Sequence, residues 1–303
     1  MPKKIKILAA DDIEISSFAK LPVSRFTLDI KPGISNESIL KGDYDAILIR
    51  STRKITREFI DNFKGKVIAT FSKGTDHIDI DNCRKRGIKV FNSKTGNSTS
   101  AAEHTFAMIL AASKNLLLAD KLVRKNKFTE LKYERSELRG KKLGVIGYGS
   151  IGKKVSEMGK CFGMDIYAND IDPKVLAKNR KVSFKSLKYI LSKCDVVSIH
   201  IPLTEKNRGF LDAEKLSILK NDCIFINTSR GEIVNEDALI GILQARKIRF
   251  ACLDVFKDEP DVNPLFFELD NVILSNHIAG KTPESKKLIS EEVYNKLMKH
   301  YKI

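Results

Sequence analysis

The chain has 303 residues, of which 42% are hydrophobic and 30% are charged, and its formal net charge is +16. This length suits two domains of ordinary size, and the apolar fraction excludes a wholly disordered chain. No apolar run approaches the roughly 20 residues that cross a bilayer. The basic residues are spread along the whole chain, so we expect neither a membrane protein nor a nucleic-acid-binding protein.

The start of the chain and its cysteines indicate the compartment. The first ten residues are basic and then apolar, but Asp11 and Asp12 end this run too early for a signal peptide, so it predicts a β-strand instead. The five cysteines are scattered and include no Cys-x-x-Cys pair. We therefore expect a cytoplasmic protein without disulfides and without a metal site.

Short apolar runs of strand length recur along the chain and alternate with segments of helical composition. The first series comprises residues 6–10, 26–30, 45–50, 66–71 and 89–92. The second series comprises residues 142–147, 165–169, 195–202, 223–228, 250–255 and 271–275. Alternation of this kind is typical of βαβ units, and two series predict an α/β protein with two doubly wound parallel-sheet domains and a cleft between them.

Turn-forming residues at 92–97 predict the boundary between the domains. A capping-box pattern, Ser100 with Glu103, predicts that a long helix begins there. A final amphipathic helix from about residue 283 is too short to be a domain, and we expect it to return to the first one. The predicted domains are therefore residues 1–95 plus 281–303, and residues 96–280.

The strongest local motif follows the strand at 142–147, where a Gly-x-Gly-x-x-Gly sequence precedes a helical stretch. Gly147 permits a tight turn, Gly149 lets the backbone approach a pyrophosphate, and Gly152 lets helix and strand pack closely. The first helical residues, Ser150 and Ile151, offer free N–H groups to phosphates. The motif predicts a Rossmann domain that binds a dinucleotide.

About twenty residues further on, the strand at 165–169 ends at Asp170, where a ribose-binding acid is expected. A carboxylate accepts hydrogen bonds from the 2′-hydroxyl and repels the 2′-phosphate of NADP. The sequence thus predicts NAD as the cofactor. The alternative is a structural turn with a surface aspartate.

Three polar residues follow three later strands: Arg230, Glu259 and His277. Because ligands bind at the carboxyl ends of strands in open parallel sheets, these side chains are expected to converge. An imidazole exchanges a proton near neutral pH, a carboxylate fixes its tautomer, and a guanidinium grips a carboxylate. Taken singly, each residue has an alternative reading as a structural histidine, a surface arginine or a turn acid.

As a set, these motifs make the chain resemble the D-isomer-specific 2-hydroxyacid dehydrogenase family over essentially its whole length. The resemblance implies a substrate domain of the flavodoxin type and a homodimer joined through the cofactor domains. It also implies that Arg230 binds substrate, that His277 is the acid/base, and that Glu259 supports it. Further cofactor contacts are implied for His200, Ile201, Pro202, Thr228, Ser229, Asp254 and Gly280.

Within the family, residues 49–56 and 96–105 are typical of D-3-phosphoglycerate dehydrogenases, which act in serine biosynthesis. Arg50 and Ser51 end a predicted strand and could bind a phosphate or carboxylate, whereas Arg53 could equally be a solvated basic residue. Lys73 and Gly74 are further candidates for substrate contacts. The expected substrate is a small anionic 2-hydroxy or 2-oxo acid.

Several alternatives stay open. Within the class they are hydroxypyruvate, glyoxylate or D-lactate as substrate. Outside it they are an NAD-sensing protein-binding scaffold and, third, a nucleic-acid binder. His77, His104 and His200 lie near predicted site loops, where a supporting role is also open.

Overall fold

The computed structural model describes residues 3–128 and 134–302. The chain divides into two compact units. The first unit consists of Met1–Asn97 with Lys281–Ile303, and the second unit consists of Ser98–Gly280.

The first unit is a parallel sheet of five strands in the order β2-β1-β3-β4-β5. This is the strand order of flavodoxin-like doubly wound sheets. Its strands are β1 (Ile5–Ala9), β2 (Phe26–Ile30), β3 (Ala46–Ile49), β4 (Val67–Thr70) and β5 (Lys89–Asn92). Its helices are α1 (Asn36–Lys41), α2 (Arg57–Asn62), α3 (Ile80–Lys85) and, at the end of the chain, α11 (Pro283–His300), together with a 3-10 helix at Ser16–Lys20.

The central strand β3 shows why this sheet is covered on both faces. All four of its residues are fully buried. Ala46 and Leu48 pack into one apolar cluster, whereas Ile47 and Ile49 pack into the other. A continuous apolar run, rather than an alternating one, is what a strand between two layers of helices requires.

The last helix belongs to this first unit. Thr282 caps its N-terminus through the backbone N–H of Ser285, and Val293 and Leu297 are buried in the cluster on one face of the sheet. The Glu292 carboxylate accepts hydrogen bonds from the hydroxyl of Ser93 (2.8 Å) and the backbone N–H of Lys94 (2.7 Å). These bonds tie α11 to the segment that follows β5.

The second unit is a parallel sheet of seven strands in the order β12-β11-β10-β9-β6-β7-β8. The order reverses at β6, as it does beside the first strand of a Rossmann fold. The strands are β6 (Lys142–Ile146), β7 (Asp165–Asn169), β8 (Ser183–Phe184), β9 (Val196–Ile199), β10 (Ile224–Asn227), β11 (Phe250–Leu253) and β12 (Val272–Leu274). The helices are α4 (Ser98–Lys114), α5 (Leu116–Arg124), α6 (Ser150–Cys161), α7 (Pro173–Lys178), α8 (Leu187–Lys193), α9 (Ala213–Ser217) and α10 (Glu236–Gln244), and 3-10 helices lie at Glu205–Asn207, Gly231–Ile233 and Pro264–Glu268.

The structure departs from the sequence-based prediction at two elements. Strand β8 was not predicted, because it has only two residues and pairs at the edge of the sheet with β7 alone. Helix α4 begins at Ser98, so the prediction that Ser100 caps it was wrong. The hydroxyl of Ser100 instead donates to the carbonyl oxygen of Ala279 at 2.7 Å, and this tertiary contact replaces the expected local one.

All five cysteines are free thiols. Burial raises the pKa of Cys83 to about 11 and that of Cys194 to about 12. It also raises the pKa of Cys223 and Cys252, which are fully buried. Cys161, the last residue of α6, is exposed.

Two kinds of feature are absent from the described part of the chain, residues 3–128 and 134–302. None of its helices is both long and apolar enough to cross a bilayer. None of its histidine, cysteine and acidic side chains form a group of three or more that could hold a metal ion.

Candidate active site

The glycine-rich turn joins β6 to α6, and two of its glycines are required by close approaches. Gly147 has a φ of +91°, and a Cβ there would lie 2.7 Å from the carbonyl oxygen of His200. A Cβ at Gly152 would lie 2.2 Å from the carbonyl oxygen of Gly147. A side chain at either position would therefore force the turn apart.

The N-terminus of α6 has the properties of an anion site. Gly149 is its N-cap, and open space lies where a Cβ would be. The first turn, which holds Ser150 and Ile151, carries no acidic side chain. Because its N–H groups and the helix dipole favour negative charge, these residues fit the pyrophosphate of a dinucleotide. The hydroxyl of Ser98, at the start of α4, donates to the hydroxyl of Ser150 at 2.9 Å.

Asp170 follows β7, beside the glycine-rich turn. Its Oδ2 accepts a hydrogen bond from the backbone N–H of Tyr148 (2.7 Å), and its Oδ1 accepts one from the N–H of Asp172 (2.9 Å). The carboxylate is thus fixed next to the turn by backbone donors. Ile171, which comes next, is 91% exposed and brings no positive charge.

The segment after β9 packs against the glycine-rich turn. The backbone N–H of His200 donates to the carbonyl oxygen of Ile146 at 2.7 Å. Its Nε2 lies 2.9 Å from the hydroxyl of Ser198. The predicted cofactor residues Ile201 and Pro202 follow directly. Because β6 and β9 are parallel neighbours, this segment and the turn lie side by side at the carboxyl ends of the strands.

The turn after β10, which carries Arg230, is held by a buried asparagine that sequence reasoning did not single out. Asn227 is only 1% exposed. Its Nδ2 donates to the carbonyl oxygen of Arg230 (2.9 Å), while its Oδ1 accepts from the N–H and the hydroxyl of Ser229 (3.0 and 2.8 Å). The only signal for this role was a polar residue at the end of a buried apolar strand. Thr228, predicted to touch the cofactor, is buried, and its hydroxyl lies 2.8 Å from that of Thr105.

The turns after β10 and β11 touch at Gly231. A Cβ on Gly231 would lie 2.0 Å from the carbonyl carbon of Phe256 and 2.4 Å from the nitrogen of Lys257. Only glycine permits this approach. The contact brings the segment that carries Arg230 directly onto the segment that carries Glu259.

The turn after β11 starts with a fully buried acid, Asp254. Its Oδ1 accepts from the N–H of Ile278 (2.9 Å) and the hydroxyl of Ser275 (2.6 Å). Its Oδ2 accepts from the N–H of Ala279 at 2.9 Å. The carboxylate therefore binds the backbone of the loop that follows β12, which ends at Gly280. Sequence reasoning placed Asp254 at the cofactor and missed this second role.

The predicted acid/base pair is present in the second unit. Nδ1 of His277 lies 2.7 Å from Oε2 of Glu259. The backbone of His277 is left-handed, with a φ of +55°, a conformation that is uncommon for residues other than glycine and occurs often at functional sites. Its N–H donates to the carbonyl oxygen of Asp254 at 2.8 Å. With Nδ1 engaged, Nε2 is the ring nitrogen left to exchange a proton with a substrate.

The electrostatics of Glu259 match this pairing. Burial by itself raises the pKa of the carboxyl, and this is the largest single effect. The hydrogen bond and charge of His277, the N–H of Phe256 and the charge of Arg230 together outweigh it, so the pKa lies below the ordinary value. Glu259 is therefore a carboxylate at neutral pH, as a partner of a protonated imidazole should be.

In the first unit, Arg50 and Arg53 follow β3 but have different surroundings. Arg53 binds Asp11, with Nη2 2.6 Å from Oδ1, and also donates to Asn36 and to the carbonyl oxygen of Ala10. Its side chain is only 11% exposed. Arg50 and Ser51 are exposed. Arg53 is thus a structural residue, whereas Arg50 is exposed to solvent.

Lys73 and Gly74 lie in the loop after β4 and are half-buried. The hydroxyl of Ser72 donates to the carbonyl oxygen of Gly74 (2.7 Å), and Nδ2 of Asn92 donates to that of Lys73 (2.7 Å). Nε2 of His77 lies 2.9 Å from the hydroxyl of Thr70 at the end of the strand. The backbone of this loop is therefore well held.

Helix α4 contributes more to the site than its sequence suggested. Four polar side chains in its N-terminal half bind the segments that carry the predicted site residues: Ser98, Ser100, His104 and Thr105. The signal in the sequence was the presence of these residues ahead of an otherwise apolar helix. Their partners could not be known without the fold.

The comparison with protein families finds a match within the second unit. Residues 106–279 match the family described as "D-isomer specific 2-hydroxyacid dehydrogenase, NAD binding domain". The match includes the glycine-rich turn, Asp170, Arg230, Glu259 and His277.

Individual relatives extend the similarity beyond this region. The chain is 34% identical over 301 residues to a D-3-phosphoglycerate dehydrogenase of Archaeoglobus fulgidus, covering 96% of this chain but 57% of that protein. It is 32% identical over 261 residues to a hydroxypyruvate reductase of Thermotoga maritima, covering 85% of each. Among solved structures, D-lactate dehydrogenase from Aquifex aeolicus complexed with NAD and lactic acid superimposes with a TM-score of 0.85 at 31% identity, covering 98% of this chain and 95% of that one. The chain thus spans little more than half of the archaeal relative and nearly all of the Aquifex chain.

Proposed function

The chain belongs to the D-isomer-specific 2-hydroxyacid dehydrogenase family, and on that premise we propose that it is an NAD-dependent oxidoreductase. Its reaction interconverts a D-2-hydroxy acid and the corresponding 2-oxo acid. The observation that carries this proposal is the 2.7 Å contact between His277 and Glu259, with Arg230 close enough for its charge to lower the pKa of Glu259. These three residues supply a proton donor, its orienting carboxylate and an anchor for an anionic substrate.

In the reducing direction, the substrate would accept at C2 a hydride from NADH held by the glycine-rich turn. Arg230 holds the substrate carboxylate through its planar guanidinium and polarises the adjacent carbonyl. Protonated His277 gives the Nε2 proton to the carbonyl oxygen, and Glu259 keeps the ring oriented and its positive charge stabilised. In the oxidising direction His277 is the general base.

NAD is the preferred cofactor in this proposal. The Asp170 carboxylate is held beside the glycine-rich turn by two backbone N–H groups, so it cannot easily turn away from a 2′-phosphate. The negative charge of the carboxylate would repel that phosphate, whereas its oxygens would accept hydrogen bonds from a 2′-hydroxyl. The cofactor residues would be the glycine-rich turn, the His200–Pro202 segment, Thr228, Ser229, Asp254 and Gly280.

The substrate we propose is D-3-phosphoglycerate, with its oxidation as the first step of serine biosynthesis. Two observations favour it. The Archaeoglobus relative is named D-3-phosphoglycerate dehydrogenase, and its match covers 96% of this chain. Arg50, directly after β3, is an exposed cation that suits a phosphate. Ser51, Lys73 and Gly74 are further proposed substrate contacts in the first unit.

Hydroxypyruvate is the second candidate substrate. The Thermotoga relative that bears this activity in its name matches the present chain over 85% of both lengths. Hydroxypyruvate lacks the phosphate, so the two candidates differ in whether Arg50 contributes to affinity. Glyoxylate and D-lactate belong to the same group of small acids.

We propose that the protein is a homodimer joined through its second unit. None of the nine residues of α5 is buried, and Leu116, Leu117 and Val123 are 55–59% exposed. Apolar side chains of this size on one helix are typical of an interface. A second copy of the chain is the proposed occupant. Light scattering should show a dimer that Leu117→Glu converts to a monomer.

The five free thiols are compatible with a reducing compartment, and we place the enzyme in the cytoplasm. An NAD-sensing scaffold is the alternative outside the enzyme class. A scaffold would retain the glycine-rich turn and Asp170 but would need no proton donor.

The deciding experiment measures NADH oxidation by the purified protein with phosphohydroxypyruvate, hydroxypyruvate, glyoxylate and pyruvate in parallel. We expect the highest kcat/KM with the phosphorylated acid. A preference for one of the other acids would retain the mechanism and replace the substrate. Tight NADH binding without turnover of any acid would favour the scaffold.

A further inference from the structure

The side chain of Asp254 holds the loop that carries His277. It is completely buried and accepts three hydrogen bonds: from the N–H groups of Ile278 and Ala279 and from the hydroxyl of Ser275. The carbonyl oxygen of Asp254 accepts a fourth, from the N–H of His277 itself at 2.8 Å. Four hydrogen bonds to one residue thus hold the backbone around the proton donor.

The hydroxyl of Ser275 connects this carboxylate to helix α4. It donates its single proton to Oδ1 of Asp254 at 2.6 Å. Its oxygen can therefore only accept from its other neighbour, Nε2 of His104, which lies 3.0 Å away. Nε2 of His104 must then carry a hydrogen. The three groups form a directed chain from the imidazole N–H, through the hydroxyl, to the carboxylate.

We propose that His104 is a positioning residue for His277, acting through Ser275 and Asp254. This inference rests on the proposed function and assigns a role to a histidine that touches neither substrate nor cofactor in the proposed mechanism. The left-handed φ of +55° at His277 is disfavoured for a residue with a side chain. It has to be imposed by its surroundings, and the hydrogen bonds to Asp254 impose it.

The geometry also gives His104 an electrostatic effect on this carboxylate. Its Nε2 lies 3.5 Å from Oδ1 of Asp254, and its side chain is 23% exposed. A donor at that position offsets the cost of keeping a charged group away from water. Loss of the donor would leave Ser275 free to rotate and Asp254 with one fixed partner fewer. The loop at 275–280 would then be held less firmly near His277, while α4 would keep its bonds to Ala279 and Thr228.

The test compares two substitutions at one position. His104→Gln retains an amide N–H near the place of Nε2, whereas His104→Leu removes the donor at similar volume. We expect His104→Leu to lower kcat roughly tenfold, the effect of losing one hydrogen bond to a charged network. His104→Gln should recover most of that loss, and KM for the oxo acid should change little because Arg230 is untouched. Ser113→Ala, which removes a buried hydroxyl from the same helix, is the matched control.

A second readout does not depend on turnover. With ¹⁵N-labelled histidine, the signal of His104 should show a proton bonded to Nε2, and the His277 signal should shift in His104→Leu but not in His104→Gln. If His104→Leu does not fold, Ser275→Ala breaks the same chain and should shift the His277 signal. A His104 ring without a proton on Nε2, or an unchanged His277 signal in the variants that lack the link, would overturn the proposal. Absence of turnover in the wild type with these NMR signatures intact would instead count against the proposed function.

Discussion

Nδ1 of His277 and Oε2 of Glu259 lie 2.7 Å apart, although the two residues are 18 positions apart in the chain. They meet because β11 and β12 are parallel neighbours, so the loops that follow them leave the sheet at the same edge. The contact leaves Nε2 of His277 for proton transfer.

Replacement of the proton donor should abolish most of the activity without loss of the cofactor. We expect His277→Ala to lower kcat by about 100-fold to 10,000-fold, the usual contribution of a positioned acid or base. NADH affinity, measured by fluorescence titration, should stay within about twofold, because neither the glycine-rich turn nor Asp170 is altered. His300→Gln, at the exposed end of α11, is the control. Near-normal turnover in His277→Ala would contradict the assigned role.

The lowered pKa of Glu259 predicts a specific dependence of stability on pH. A carboxyl whose pKa is lower in the folded than in the unfolded protein stabilises the fold at pH values above the ordinary 4.5, and this stabilisation is lost as the pH falls through the lowered value. Glu259→Gln should therefore reduce the free energy of unfolding at pH values above 4.5. We expect about 1 kcal/mol or less, because the side chain is partly exposed and its charge is screened.

Urea unfolding of the wild type and Glu259→Gln at a series of pH values from neutral to acidic checks this. The two curves should converge on acidification below the ordinary glutamate value. A difference that grows on acidification would show that the sign is wrong.

Gly231 should tolerate no side chain. The Cβ of Gly231→Ala would lie 2.0 Å from the carbonyl carbon of Phe256, so the two turns must separate. We expect a loss of roughly 1–3 kcal/mol in the free energy of unfolding and a fall in kcat, since Arg230 and Glu259 move with these turns. Gly241→Ala in α10 is the matched control. Its Cβ would meet nothing within 4 Å, and it should stabilise the protein by about 1 kcal/mol. Equal effects of the two substitutions would contradict the close approach.

Replacement of the two arginines after β3 should have different effects, one on stability and the other on substrate binding. Arg53→Ala leaves Asp11 with one partner fewer in a nearly buried site, and we expect a loss of about 3 kcal/mol in the free energy of unfolding. Arg50→Ala should change stability by less than about 0.5 kcal/mol while it raises KM for a phosphorylated acid. Thermal unfolding and initial rates distinguish the two. A stable Arg53→Ala variant with raised KM would reverse the assignment.

Asp170 should determine the cofactor. Asp170→Ala removes the charge that opposes a 2′-phosphate, so the ratio of kcat/KM for NADH to that for NADPH should fall at least tenfold, equivalent to about 1.4 kcal/mol. Because the Tyr148 and Asp172 N–H groups lose their acceptor, some NADH affinity should also be lost. An unchanged ratio in parallel assays would remove Asp170 from the cofactor site.

The sequence was informative where a pattern is local and repeated. The long apolar runs predicted eleven of the strands, and β3 illustrates why: a strand buried on both faces has no polar residue to obscure it. Strand β8 was missed, because two residues at a sheet edge leave no such run. The family resemblance, now confirmed, came from motifs that follow strands, which are short and positionally fixed.

What the sequence could not give are relationships across the chain. Nothing local distinguishes Arg50 from Arg53, since only the fold brings the Asp11 carboxylate to the guanidinium of Arg53, whereas it meets Arg50 at the backbone N–H. The roles of Asn227 and Ser275 depend on which backbone groups lie opposite them. The start of α4 was mispredicted for the same reason, because the hydroxyl of Ser100 serves a distant carbonyl rather than its own helix end.

Because only one of the five cysteines is exposed, a thiol-specific reagent should label the folded protein at one position. A thiolate is the form that reacts with such reagents. The four buried cysteines should therefore not react, because the reagent cannot reach them and because their raised pKa values keep the thiols protonated. Cys161 alone offers its sulfur to solvent. A maleimide dye therefore marks the far end of the helix whose beginning is proposed to receive the pyrophosphate, without any engineered cysteine. Incorporation of more than one dye per chain would report unfolding that exposes the buried cysteines.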